Sequence, residues 1–231
     1  MGLAHSPRIV TDGLVLALDA GNTKSYPGSG TSWSDLSGNS NTGTLENGVG
    51  FDAADGGSLS FDGVDDYIIC TRPSSIVTGG SISVSVWAKW TTTGNTVSSI
   101  QALIDNNHSS SPIRGFILQD RPDFVKKLTF STYPNENGVI STFQVGDGTW
   151  HHIVGTNDTV TSKLYIDGVL NNSLSQGGLA TVQPNISIGY WQGSPGRYLN
   201  GNISQVSIYN RALTETEVSQ NFNALRGRFG I

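Results

Sequence analysis

The chain has 231 residues, a formal net charge of −5 and only 13% charged residues, about half the usual share of roughly 25%. With 29 glycines, 29 serines, 21 threonines and 18 asparagines, its surface must be neutral and rich in hydroxyls and amides. The acidic balance without a Lys/Arg run excludes a nucleic-acid or anionic-membrane binder, the lack of any apolar stretch near about 18 residues excludes a spanning helix, and the single cysteine, Cys70, excludes an intrachain disulfide or a cysteine-based zinc site.

Residues 1–12 read as an extended arm, because Pro7 and the absence of periodicity oppose a helix. Gly2 and Ser6 match a myristoylation pattern of low information, and no charged segment precedes an apolar one, so no secretory signal is expected. A single domain over 13–231 follows. Residues 14–19 form a short apolar run closed by Gly21-Asn22, which predicts a buried strand. Residues 20–57 are rich in Gly, Ser, Asn and Asp, with a strand expected near 42–46. Strands at 58–61 and 66–70 flank Asp62-Gly63, and strands at 162–167 and 169–174 flank Asp167-Gly168. Both dipeptides suit type I′ hairpin turns.

Residues 81–90 give the clearest alternation. Ile82, Val84, Val86, Ala88 and Trp90 share one face, and Ser81, Ser83, Ser85, Trp87 and Lys89 the other, where Trp87 breaks the polar pattern. Further strands are expected at 100–105, 113–119, 125–131, 139–144, 150–156, 185–190 and 203–209. One helix is predicted. Thr214 and Glu217 form a capping box, Val218, Phe222 and Leu225 recur on one face, and Gly227 supplies a stop. Many short strands and one terminal helix predict an all-β antiparallel sandwich.

Several motifs carry a family likeness: Leu59-Ser60-Phe61-Asp62-Gly63 leading into Asp66-Tyr67, the SISVSVW run at 81–87, Asp147-Gly148-Thr149-Trp150-His151-His152, Leu164-Tyr165-Ile166-Asp167-Gly168, and Gly201-Asn202-Ile203-Ser204 with Tyr209-Asn210-Arg211-Ala212-Leu213. In order and spacing they resemble the laminin-G-like branch of the concanavalin A-like lectin/glucanase superfamily, over roughly residues 12–225. The resemblance implies a two-sheet jelly roll. The ending from Ile208 to Leu213 and from Asn221 to Ile231, the opening from Asp12 to Ala20, and Trp33-Ser34-Asp35-Leu36-Ser37-Gly38 are similar to structural proteins of tailed, notably marine, bacteriophages. That likeness implies a virion surface protein made in the host cytoplasm. Its partners would be other virion subunits in an oligomer or lattice.

The glucanase branch implies two carboxylates on one strand in a Glu-x-Asp-x-x-Glu arrangement, as retaining hydrolysis requires. The four glutamates, Glu46, Glu136, Glu215 and Glu217, have no such context. Glu215 and Glu217 belong to the helix start, where acids favour the dipole. No Gly-x-Ser-x-Gly elbow and no phosphate loop occur. Asp147-Gly148-Thr149-Trp150 matches the sialidase turn only in part, and once. No catalytic residue is assigned. His151 and His152, adjacent on a strand, point to opposite faces and cannot share one metal. Trp87, Trp90 and Trp150 are expected to be core anchors, and Cys70 a buried apolar residue.

Calcium is the plausible ion, since it takes six to eight oxygens. Asp65-Asp66 and Asp105-Asn106-Asn107 offer them at strand ends, against the plainer reading of turn and cap residues. For sugar, aromatic faces beside amides and acids are required. Tyr190, Trp191, Gln192, Arg197 and Tyr198 meet this in a Gly/Pro-rich loop where Trp191 is expected to be exposed. Sequons at Asn107, Asn157, Asn171, Asn185 and Asn202 match the number chance gives, about four. The function expected is a non-catalytic capsid decoration or fibre module that binds glycans. The alternatives are a purely structural packing protein, or a polysaccharide hydrolase revealed by two facing carboxylates in a cleft.

Overall fold

The computed structural model describes residues 7–94, 99–106, 115–122, 127–132, 138–193 and 196–231. Its strands in chain order are β1 (Leu14–Asp19), β2 (Ser32–Trp33), β3 (Gly43–Glu46), β4 (Gly50–Asp52), β5 (Ser58–Asp62), β6 (Tyr67–Thr71), β7 (Ile82–Thr91) and β8 (Gln101–Asp105). They continue as β9 (Phe116–Arg121), β10 (Lys127–Thr132), β11 (Val139–Ile140), β12 (Asp147–Asn157), β13 (Thr161–Ile166), β14 (Val169–Ser175), β15 (Asn185–Ile188) and β16 (Asn200–Tyr209), and the helix α1 is Glu215–Leu225. None of the described helices is long and apolar enough to cross a membrane.

The strands form two antiparallel sheets. The first runs β14-β13-β12-β7-β16-β5-β4, with β1 also on β16, and the second runs β11-β10-β9-β8-β15-β6-β3-β2. Their inner faces meet in one apolar core that holds Leu16, Val84, Val86, Trp90, Phe116, Leu118, Phe130, Ile186 and Ile203. The alternation of β7 explains its side of this layer. Ile82, Val84, Val86, Ala88 and Trp90 enter the core, as period two requires.

Trp87 breaks the polar pattern because its face is covered as well. Helix α1 and the segment after it lie over that part of the first sheet. Trp87 stacks on Phe229 at 4.2 Å and on Phe222 at 5.8 Å, and Trp150 lies 4.8 Å from Phe229. The helix starts as expected, with Thr214 accepting from the Glu217 N–H and Glu217 returning to the Thr214 N–H. Its end departs from expectation. Gly227 sits inside a 3-10 turn spanning Arg226–Arg228, and the left-handed residue is Gly230, φ +75°. The extra turn carries Arg228 to Asp19 (2.7 Å), the Gly57 carbonyl (2.9 Å) and the Ser204 hydroxyl (2.8 Å). Gly21 is required there, because a Cβ would overlap both the Gly56 carbonyl oxygen and the Arg228 guanidinium.

The described part of the N-terminal arm packs on the chain's own helix. Asn221 accepts from the Val10 N–H, and the Tyr209 hydroxyl and the Gln220 amide donate to the carbonyls of Val10 and Arg8. The free edge of β1 is covered by the loop after β2. Asp35 accepts from the Ala17 N–H and the Leu36 N–H donates to the Ala17 carbonyl, while the Val15 carbonyl accepts from Ser37, Asn39 and Asn41. Loop side chains thus do the work that blunts an open strand edge.

Two local expectations are corrected. Asp167-Gly168 is a type I′ turn with φ +52° and +79°, but at Asp62-Gly63 only Gly63 is left-handed. There the Asp62 carboxylate accepts from the Val64 N–H at 2.7 Å and builds a longer loop. The strand expected at 139–144 stops at Ile140, since the Ser141 hydroxyl takes the Leu128 N–H and turns back to the Phe143 carbonyl. The short strands β2 and β4 were not signalled, for their few residues have no period to read. The beginnings expected for β9 and β10, at 113–114 and 125–126, lie outside the described residues.

Candidate functional site

The loop after β15 is shaped by Gly189, φ +79°, where a Cβ would strike the Phe61 ring. Tyr190 and Tyr198 then face each other across an isolated antiparallel bridge. Their rings stack 4.4 Å apart at 10°, and Tyr67, at the start of β6, places a third ring 5.5 Å from Tyr190. All three are half-buried. Burial pushes the Tyr67 and Tyr190 phenols up, so both remain neutral hydrogen-bonding groups.

Trp191 does not sit where the sequence put it. It is 5% exposed, lies on Ala102 and Ile117, and has the Arg197 guanidinium over its ring at 3.9 Å. The indole N–H is buried without a hydrogen-bond partner. A loop tryptophan is exposed only if no sheet lies under it, and here the outer face of β8 and β9 does. Gln192 is half-buried and donates its backbone N–H to Asp105 at 3.3 Å. The loop therefore offers its tyrosines, and its tryptophan is an anchor.

Beside the tyrosines, two depressions of about 440 and 230 Å³ share Thr93 and Asn200 as a common wall. The smaller is bounded by Gly63, Ser99, Gln101 and Tyr198. The larger lies over the ends of β7 and β16, bounded by Lys89, Thr91, Gly148 and Asn202. The strand register positions these groups. Asn202 pairs with Lys89 and Gly201 with Trp90, so Lys89 and Asn202 lie side by side facing outward. Gly201 permits the close approach, because a Cβ there would press on the Lys89 carbonyl and the Trp90 side chain. Gln101 braces the floor by accepting the Asn200 N–H at 2.8 Å and donating to the Thr91 carbonyl at 3.2 Å. Lys89 is balanced by Asp55 at 3.2 Å. The Asp55 carboxyl is held low, first by the Trp150 indole N–H and then by Lys89.

The residues expected to hold calcium divide between two places. Asp65 and Asp66 gather with Asp62, their ligand oxygens all within 4.8 Å of one another. Asp66 is buried and its pKa is raised by that burial. Hard carboxylate oxygens suit calcium, and this turn supplies three of the six to eight it takes. Asp105 and Asn106, both fully buried, serve the scaffold instead. Asn106 donates to the Gln183 and Asn185 carbonyls and accepts the Gln183 N–H, and Asp105 accepts from Ser187 and Gln192. Asn107 lies outside the described residues.

The two histidines separate by face. His151 lies between Asp167 at 2.8 Å and Asp147 at 3.3 Å. Burial pulls its pKa down, but the two carboxylates outweigh it and the net shift is upward. His152 is buried beneath α1, bonded to the Ser85 hydroxyl at 2.9 Å, and burial drives its pKa down to about 3. Cys70 is buried as expected, its thiol pushed up to about 12.

A laminin-G-type family model described as concanavalin A-like lectin/glucanases superfamily matches residues 61–219. The chain belongs to the concanavalin A-like lectin/glucanases superfamily. No curated protein matches it. Among solved structures it is similar to the binding domain of the paraclostridial mosquitocidal protein 1, with TM-score 0.72 and 19% identity over 93% of this chain and 52% of that chain. It is also similar to the binding domain of botulinum neurotoxin DC in complex with SialylT, with TM-score 0.69 and 18% identity over 94% of this chain and 52% of that one. A third is a botulinum neurotoxin type C structure whose cell entry is described as dependent on interaction with two ganglioside molecules, with TM-score 0.69 and 17% identity over 94% and 52% of the two chains. These likenesses show the fold, and the chain spans about half the length of each neighbour.

Within the concanavalin A-like superfamily the glucanase branch would require facing carboxylates. In this member Glu46 lies on β3, Glu215 and Glu217 open α1, and Glu136 is outside the described residues. Glu217 is engaged by Arg211 at 2.7 Å, which holds its carboxyl down at about 2. Sequence reasoning missed Tyr67, Lys89, Thr91, Thr93, Asn200 and Asn202 as site residues. The available signal was the outward parity of Lys89 and Thr91 on β7 and of Asn200 and Asn202 on β16.

Proposed function

We propose that this chain is a non-catalytic glycan-recognition module displayed on a bacteriophage particle. The observation that carries the binding role is the depression lined by uncharged amides and hydroxyls that ends on the Tyr190–Tyr198 stack. Sugars present hydroxyls for such groups and apolar ring faces for an aromatic. Two neighbours, one a toxin binding domain in complex with SialylT and one a toxin whose cell entry is described as dependent on gangliosides, support the reading. The virion setting rests on the sequence likeness of the chain's opening and ending to phage structural proteins, with other virion subunits as its assembly partners.

The test is a glycan array read with and without calcium, using the wild-type chain and Tyr198→Ala. Binding that is lost in the variant supports recognition at the tyrosines, and loss on chelation adds calcium at Asp62, Asp65 and Asp66. An array silent in all conditions refutes the binding role. Mass spectrometry of purified particles tests the setting, and a chain absent from intact particles refutes it.

A further inference from the structure

We infer that the ligand is a linear, uncharged oligosaccharide several residues long, laid from Tyr198 across Asn200 and Thr93 to Asn202 and Lys89. The inference rests on the glycan-binding reading above and specifies its ligand. The first ground is continuity. The two depressions share Thr93 and Asn200, and the larger, about 440 Å³, is of the size that takes a small ligand, roughly 300–1,000 Å³. Side by side they form one course from the second sheet, over the end of the sandwich, to the outer face of the first.

The second ground is the spacing of the donors and acceptors. Asn202 lies beside Lys89 in the β16–β7 ladder, where its amide also donates to the Ser58 hydroxyl at 3.2 Å, and Asn200 and Thr91 lie two positions further along the same two strands. Residues two apart on a strand lie about 7 Å apart on one face. The groove thus presents a periodic row of amide and hydroxyl groups, which suits a repeating ligand.

The third ground is charge. Among the described residues bounding the two depressions, the charged one is Lys89, and Asp55 neutralises it at 3.2 Å. A sialylated or sulfated ligand would find no unbalanced cation there, and its charge would be desolvated without compensation. Asn200 is exposed, and its side chain is free to meet such a ligand without a structural bond to break.

The experiment is isothermal titration of the full chain with neutral oligomers of glucose, galactose, mannose and xylose, each from two to six residues. Lactose is compared with 3′-sialyllactose as the charge pair. In one of the series, affinity should rise about tenfold from dimer to tetramer, as one or two added hydrogen bonds give. Asn200→Ala, which strips the wall shared by both depressions, should remove that gain while leaving the thermal midpoint unchanged. Affinity should also hold steady as salt is raised, because screening acts only on unbalanced charge. A dimer that binds as well as the hexamer, with loss only in Tyr198→Ala, overturns the extended groove and leaves recognition at the tyrosines standing. Tighter, salt-sensitive binding of 3′-sialyllactose overturns the uncharged ligand. Silence across every oligomer and both lactose forms overturns this inference and the glycan-binding reading together.

Discussion

Replacing Trp191 with alanine should be a stability lesion. The indole is 5% exposed and rests on Ala102 and Ile117. Truncating a buried tryptophan to alanine costs about 3–5 kcal/mol in transfer and cavity terms. Loss of the Arg197 guanidinium above the ring adds about 1 kcal/mol. One term opposes these, because the wild-type indole N–H is buried without a partner and removing it relieves about 1–3 kcal/mol of desolvation. The net expectation is a loss of about 3 kcal/mol, or roughly 6–12 °C in Tm for a domain of this size. Urea denaturation followed by tryptophan fluorescence and circular dichroism measures it, as a lower midpoint with an unchanged slope. Trp191→Ala with a wild-type midpoint and abolished glycan binding would refute the reasoning and restore Trp191 as a binding platform.

Glu217→Gln should flatten the acid limb of stability. The wild-type carboxyl is held at about 2 by Arg211 against an ordinary 4.5, so its stabilisation is complete above pH 4.5 and disappears as pH falls toward 2. Its partial exposure limits the effect to about 1 kcal/mol, read from urea midpoints at pH 7 and pH 3. His152→Phe should flatten a second slope. Its pKa is about 3 in the fold against 6.5, so the unfolded chain binds the proton first. The wild type then loses about 1.4 kcal/mol per pH unit between those values, and a stability profile equally steep in the variant would contradict this. Gly21→Ala should destabilise the fold by more than 2 kcal/mol, about the scale of a backbone clash. Arg228→Ala in the same chain should not restore it, since the Gly56 carbonyl remains in the way and Asp19, the Gly57 carbonyl and Ser204 lose their guanidinium partner. Thermal melts of the single and double variants decide it.

How much of this was legible in the sequence depended on period and chemistry. β7, β13 and the capped helix were readable because alternation, an Asp-Gly turn and a Thr-x-x-Glu box are local signals with one physical solution. Trp87 showed as an anomaly, but its cause, a helix more than a hundred residues away folded over the sheet, is tertiary. Trp191 failed for the same reason. A Gly/Pro-rich context marks a loop, but local sequence does not show that β8 and β9 pass beneath it. Tyr190 and Tyr198 were picked out by residue type, whereas Tyr67 joined them through the pairing of β6 with β15. Asp65 and Asp66 proved neighbours of Asp62, while Asp105 and Asn106 looked equally suitable as ligands and turned out to be brackets for the 183–192 segment. An isolated acid does not reveal which of these it is.

The central claim is that the groove and its tyrosines bind carbohydrate. The most direct measurement is direct binding of the best glycan to the wild type, Tyr198→Ala and Asn200→Ala, with thermal midpoints recorded on the same samples. At least about tenfold weaker binding is expected in Tyr198→Ala, the scale of losing one aromatic contact and its hydrogen bond, with the Asn200→Ala midpoint at the wild-type value and the Tyr198→Ala midpoint lower by a few degrees, about what loss of the half-buried Tyr190 stack gives. Glycan binding that survives both substitutions at full affinity would place the site elsewhere on the molecule and contradict the account.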